Sequence, residues 1–229
     1  MLAMGESTAL AGAVVALVCL CASPLLARWA LTAPDPGIRG WWRPSASRRP
    51  GWRLLLITAG FGVVVGGFCG VAAGWGAALP AFAVLALLMV PLAVIDIRTH
   101  RLPDRLTGSA ALGFGALLTL ATAGSPPLGA AGRALLAGSL VIVALGLLRI
   151  AAPRGLGFGD VKLGGVLGLA LGWCGWDAVV PGLLAGFVLG AAVALSLVAR
   201  RRANLRTAFP FGPSLIIGAL AVCAASGAG

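Results

Sequence analysis

Among 229 residues there are only six acids: Glu6, Asp35, Asp96, Asp104, Asp160 and Asp177. Three of them stand beside unusual sequence. Asp96 follows the apolar run 88–95, Asp160 follows Gly155-Leu156-Gly157-Phe158-Gly159, and Asp104 follows Leu102-Pro103. A carboxylate in such apolar surroundings is costly when ionised, so it tends to be either paired or functional. Two carboxylates brought around one water in a low-dielectric site hold a single proton between them. One then takes a proton from the water while the other gives one to a carbonyl oxygen, which is acid–base peptide hydrolysis without metal or side-chain nucleophile. Asp96 and Asp160 are the candidates for that pair. The glycines ahead of Asp160 fit the same chemistry, since backbone without Cβ atoms can come close to an extended substrate. The plain alternative is that both acids neutralise Arg98, Arg101 or Lys162 at helix ends. Asp104 has its own plain reading as a turn and N-cap residue, and Asp35 and Asp177 read as loop residues.

Metal chemistry has little to work with. Cys19, Cys21, Cys69, Cys174 and Cys223 form no C-x-x-C pair, and His100 is the single histidine. A structural zinc site needs four such ligands, so no metal and no cofactor is expected. The cysteines read as small apolar fillers between helices.

What must position these acids is set by the composition. Sixty per cent of the residues are hydrophobic and 10% are charged, with a mean hydropathy of +1.04. A soluble domain carries about 25% charged residues, so the expectation is an all-α polytopic transmembrane bundle. Apolar runs long enough to cross the bilayer fall near 8–27, 54–75, 78–97, 106–123, 131–150, 160–174, 178–199 and 208–227, about eight spans. The sixth is short and starts in glycine-rich sequence. Gly74, Gly76 and Pro80 mark one break, and Gly124, Pro126 and Pro127 another.

The formal charge of +11 raises nucleic acid as a partner, but the basic residues sit in short clusters between apolar runs, a pattern that suits loops beside anionic lipid. Nucleic acid is therefore not expected, and membrane lipid is. With the N-terminus outside, every Lys and Arg except Arg133 falls on four cytoplasmic connections, and both termini lie outside. In that topology Asp96 ends the third span and Asp160 begins the sixth, at the same depth on the cytoplasmic side.

Three stretches divide the chain: a first transmembrane helix over 1–27, a basic Trp/Pro-rich cytoplasmic segment over 28–53, and a membrane domain over 54–229. Residues 1–7 lack the positive region of a secretory signal, so the first helix is expected to be retained. The 28–53 segment holds Trp29, Trp41, Trp42 and Trp52 with four prolines and six arginines. Prolines deny it a continuous helix, and Trp with Arg suits an arm on the inner membrane face. Gly164, Gly168 and Gly172 recur at every fourth position of the sixth span, a stripe that allows close helix approach and implies packing, not chemistry.

The stretch Asp96-Ile97-Arg98-Thr99-His100-Arg101-Leu102-Pro103-Asp104 resembles the first signature of the prepilin peptidases, the type IV leader peptidase family of GxGD intramembrane aspartic peptidases. Gly157-Phe158-Gly159-Asp160-Val161-Lys162 resembles their second signature, and Phe209-Pro210-Phe211-Gly212-Pro213 resembles the element before their last helix. Order, the 64 positions between the two aspartates and the eight-span layout agree over roughly residues 54–227. A lone GxGD is weak evidence; the three elements together are specific.

The resemblance implies that Asp96 and Asp160 are the catalytic dyad of an aspartic endopeptidase in the inner (plasma) membrane, facing the cytoplasm. Its substrates would be type IV prepilin or pseudopilin precursors, cut between a short basic leader and a hydrophobic helix. Gly157 and Gly159 would shape the backbone beside Asp160. Asp104 and Lys162 would support the site, by holding a helix end or contacting the basic leader. Many bacterial members carry a cytoplasmic domain with paired C-x-x-C motifs, linked to N-methylation of the trimmed pilin. Here segment 28–53 takes that place and holds no cysteine, so peptidase activity is expected without methyl transfer. Two other readings compete: a small proton-coupled transporter using membrane carboxylates, which calls for acids near mid-membrane and a repeated unit, and a non-catalytic scaffold, which leaves both aspartate motifs unexplained. The oligomeric state is left open.

Overall fold

The computed structural model describes residues 2–32, 49–100, 102–123, 129–152, 156–200 and 210–227. Within them the chain forms eight helices and no strand: α1 (Leu2–Thr32), α2 (Trp52–Ala73), α3 (Leu79–Thr99), α4 (Asp104–Ala121), α5 (Ala130–Ala151), α6 (Phe158–Cys174), α7 (Trp176–Ala199) and α8 (Gly212–Gly227). Each expected span coincides with one helix, and α1 begins several residues earlier than its apolar run. Five helices, α1, α2, α3, α5 and α7, are long and apolar enough to cross a membrane by length and composition, and α8 is a shorter apolar helix. The chain is a polytopic helical bundle. Of segment 28–53, residues 33–48 lie outside the described residues. At its end Arg53 sits 5.3 Å over the ring of Trp52.

Punctuation in the sequence explains most of the boundaries. α2 stops at Gly74, whose φ of +57° is open to glycine, and its N–H donates to Gly70 O. Pro80 occupies the first turn of α3, where a missing N–H costs nothing. α6 and α7 meet at Gly175, with a φ of +151°. α3 ends at His100, a non-glycine residue in the left-handed region at φ 52°, whose N–H donates to Asp96 O at 2.8 Å.

Packing is governed by small residues, as expected where lipid supplies no hydrophobic drive between helices. The glycine stripe of α6 lies against α5. A methyl added at Gly168 would stand 3.0 Å from both Gly138 Cα and Val141 Cβ, and one at Gly172 would stand 3.0 Å from Ala134 Cα. α7 and α8 meet likewise, backbone on backbone at Gly186 and Gly218. α3 is the most enclosed of the long helices, and Phe82 from it meets Phe114 of α4 edge-on with centroids 5.3 Å apart.

Arg133, the one basic residue that the charge count sets apart from the four basic connections, is held by α6. Its Nε donates to Gly172 O at 2.7 Å and its Nη2 to Trp173 O at 2.8 Å. These are carbonyls of the last turn of α6, which lack partners within their own helix and carry its negative dipole end.

Candidate active site

The end of α3, the turn into α4 and the start of α6 enclose one cavity of about 280 Å³, lined by Asp96, His100, Leu102, Gly157, Phe158, Gly159 and Asp160. Two carboxylates separated by 64 positions in sequence therefore share one small polar space, and Asp160 lies within electrostatic reach of Asp96. At about 30 Å³ per water, the space holds several waters or a short length of peptide. Asp96 sits in the last turn of α3 and is 5% exposed. Asp160 sits in the first turn of α6 and is half-buried.

Each carboxylate is held by a single backbone amide through its Oδ2. Gly157 N–H donates to Asp160 Oδ2 at 3.1 Å, half of the reciprocal capping arrangement at a helix start. Glycine at 157 has no side chain to complete the other half. It also leaves room for the carboxylate in this position, since a Cβ there would stand 2.9 Å from Asp160 Oδ2 and the side chain would have to shift. Gly212 N–H, from the start of α8, donates to Asp96 Oδ2 at 2.9 Å, a buried contact spanning 116 positions. Among the described residues neither Oδ1 has a hydrogen-bond partner, which leaves one oxygen of each acid for a water or a substrate.

The supporting residues divide by role. Gly159 lets α6 approach the α3–α4 turn, because a Cβ at 159 would stand 2.9 Å from Leu102 Cβ. Asp104 is the first residue of α4, following the cap position Pro103, which supplies no side-chain capping hydrogen bond. Asp104 Oδ1 lies 2.7 Å from Lys162 Nζ, the only ion pair among the described residues. That pair ties the first turn of α4 to the start of the second turn of α6. Lys162 also lies 5.6 Å over the Phe158 ring.

The plain pairing of the two acids with nearby cations receives no support from Lys162 or Arg98. Lys162 is taken by Asp104, and Arg98 Nη1 donates to Ala30 O at 3.2 Å, at the end of α1. Arg101 lies outside the described residues. The sequence reading did not assign Gly212 to the site. Its only signal was membership of the 209–213 element, which carries no chemistry-bearing side chain.

A helical membrane bundle with two aspartates at helix ends around one cavity defines a class before it defines a family. Residues 82–195 match the type IV leader peptidase family. The chain is 35% identical over 164 residues to the prepilin leader peptidase/N-methyltransferase of Aeromonas salmonicida (strain A449), covering 71% of this chain and 53% of that protein. It is 34% identical over 181 residues to the protein of the same name from Aeromonas hydrophila (78% and 59%). Against that of Burkholderia pseudomallei (strain 1026b) it is 35% identical over 178 residues (75% and 54%). No solved structure matches the chain. The chain belongs to the type IV leader peptidase family, and it spans about half the length of the curated relatives it matches.

Proposed function

We propose that this protein is an intramembrane aspartic endopeptidase that removes the short basic leader of type IV prepilin or pseudopilin precursors. The observation that carries this reading is the cavity lined by both Asp96 and Asp160, each with one oxygen that takes no hydrogen bond among the described residues. Membership of the family and the names of its curated relatives supply the substrate class.

In the proposed reaction the pair holds one proton and a water lies between the two carboxylates. The ionised member takes a proton from that water as its oxygen attacks the scissile carbonyl carbon. The protonated member gives its proton to the carbonyl oxygen, forming a neutral gem-diol. Collapse breaks the C–N bond, with a proton passing to the leaving amine, and the pair returns to one proton. The contribution of the fold is orientation, since two helix-end carboxylates on fixed backbone amides need little rearrangement at the moment of reaction.

The site faces the cytoplasm in this proposal, with both termini outside and the protein multi-pass in the inner membrane. The substrate helix then lies among the spans with its cleavage point at the inner surface. Asp104, two residues beyond the cavity-lining Leu102 and 73% exposed, adds negative charge where a basic leader would approach a net-basic protein. Segment 28–53 lacks cysteine, and peptidase activity without methyl transfer is proposed. The transporter reading gains nothing from this geometry, as both acids lie in helix-end turns and not at mid-span.

The test is a prepilin processing assay with mature N-termini read by mass spectrometry. Asp96→Ala and Asp160→Ala are each expected to abolish leader removal while the protein remains inserted. Substantial cleavage by either variant would overturn the assignment.

A further inference from the structure

The 209–213 element stands outside the chemistry proposed above, yet its backbone reaches the site. Asp96 occupies the last turn of α3, where the exposed backbone groups are carbonyls and the helix presents its negative end. No local amide can hold a carboxylate there, in contrast with Asp160, which takes Gly157 N–H from three positions away. The amide for Asp96 comes from the opposite kind of helix terminus. Gly212 opens α8, where the N–H groups are unpaired and the dipole end is positive, and its N–H meets Asp96 Oδ2 at 2.9 Å.

The surroundings of Gly212 fix that amide in place. Phe211 lies over Gly190 of α7 with no room for a methyl between them, and its ring centroid is 5.0 Å from that of Phe187. Phe211 O accepts Leu215 N–H at 3.1 Å, closing the first turn of α8. Pro213, the next residue, has no N–H of its own, so the amide beside the carboxylate is that of Gly212. Glycine also leaves the carboxylate where it is, because a Cβ would stand 2.8 Å from Asp96 Oδ2 and 3.3 Å from its Cγ and the side chain would have to shift. Donor and steric vacancy are both spent on one carboxylate.

We infer that Gly212 is a positioning residue of the peptidase site: its backbone N–H fixes Oδ2 of Asp96 and leaves Oδ1 for the attacking water. This rests on the Asp96/Asp160 reading and extends it to a third helix, so that α3, α6 and α8 together set the geometry of the pair. Phe211 acts one step further out, by seating that amide against α7.

Two variants test it in the full chain reconstituted in liposomes, with a prepilin precursor as substrate. Gly212→Ala places a methyl against the carboxylate. Replacement of Gly212 by glycolic acid turns its amide into an ester, which deletes the N–H and adds no Cβ. Both are expected to lower kcat by about tenfold or more, as loss of a charge-assisted hydrogen bond predicts, with KM within about twofold of wild type. Asp96→Ala and Asp160→Ala are measured beside them. An ester variant with kcat within about twofold of wild type, while both aspartate variants are inactive, overturns the role of Gly212 and leaves the dyad standing. A kcat loss in both variants that is matched by lost thermal stability also overturns it, as that is a packing defect. Activity in the aspartate variants removes the dyad, and the role of Gly212 with it.

Discussion

Asp104 is the acid whose role separates most sharply from that of the pair, and its ion pair sets the size of the effect. Asp104 Oδ1 and Lys162 Nζ are 2.7 Å apart, with the side chains 73% and 40% exposed. Exposed pairs contribute about 0.2–1 kcal/mol, because water and salt screen them and two long side chains are immobilised. The pair's work is to join the starts of α4 and α6, beside Leu102 and Asp160, which both line the cavity. If all of that energy is lost from the assembled site, activity falls by about fivefold at most. Asp104→Ala and Lys162→Met are therefore each expected to reduce kcat/KM by no more than about fivefold, and the double variant to be no worse than the poorer single one. The assay is cleavage of a purified prepilin in proteoliposomes at low and high salt, with the wild-type advantage shrinking as salt screens the pair. A loss of about a hundredfold or more for Asp104→Ala alone would refute the argument, since about 3 kcal/mol exceeds what a solvated tether supplies and would mean that Asp104 touches the reacting atoms.

Two further outcomes follow from packing. Gly159→Val is expected to impair cleavage strongly and to destabilise the fold by about 1–3 kcal/mol, because even a Cβ at 159 would stand 2.9 Å from Leu102 Cβ on the cavity wall; wild-type kinetics in this variant would mean that the α3–α4 turn moves freely. Arg133→Ala removes two hydrogen bonds of 2.7 and 2.8 Å from the carboxyl end of α6 and is expected to cost about 2 kcal/mol, seen as a lower melting temperature. Since Asp160 lies at the opposite end of α6, cleavage at low temperature should be little changed, and a selective loss of kcat there would contradict the purely structural role.

Much of the architecture was legible because it depends on local chemistry. A bilayer demands about 20 apolar residues per helix, and glycine and proline end such runs, so eight spans could be marked and each became a helix. The aspartates were legible for a related reason: in a chain with six acids, a carboxylate against an apolar run has few plain explanations. Gly157 and Gly159 were expected to shape the backbone beside Asp160, and the reason is now specific, one making way for the Asp160 carboxylate and the other for Leu102. The role of Asp104 was open between cap, leader contact and helix tether; in the structure its Oδ1 lies 2.7 Å from Lys162 Nζ, a contact the sequence did not single out.

What the amino-acid order determined by itself was the eight helices of the described residues, with ends good to several residues, and the two acids proposed for the site, since hydropathy and helix punctuation act over a turn or a span. Only tertiary structure decided which polar groups meet. It chose Asp104 over Asp160 for Lys162, and gave Asp96 an amide from 116 positions away. The physical reason is that these helices are apolar nearly all round, so, the glycine stripe of α6 apart, no periodic pattern announces which face turns inward. That choice falls to glycine-sized gaps and the few hydrogen bonds between helix ends, and those exist only once the helices are assembled.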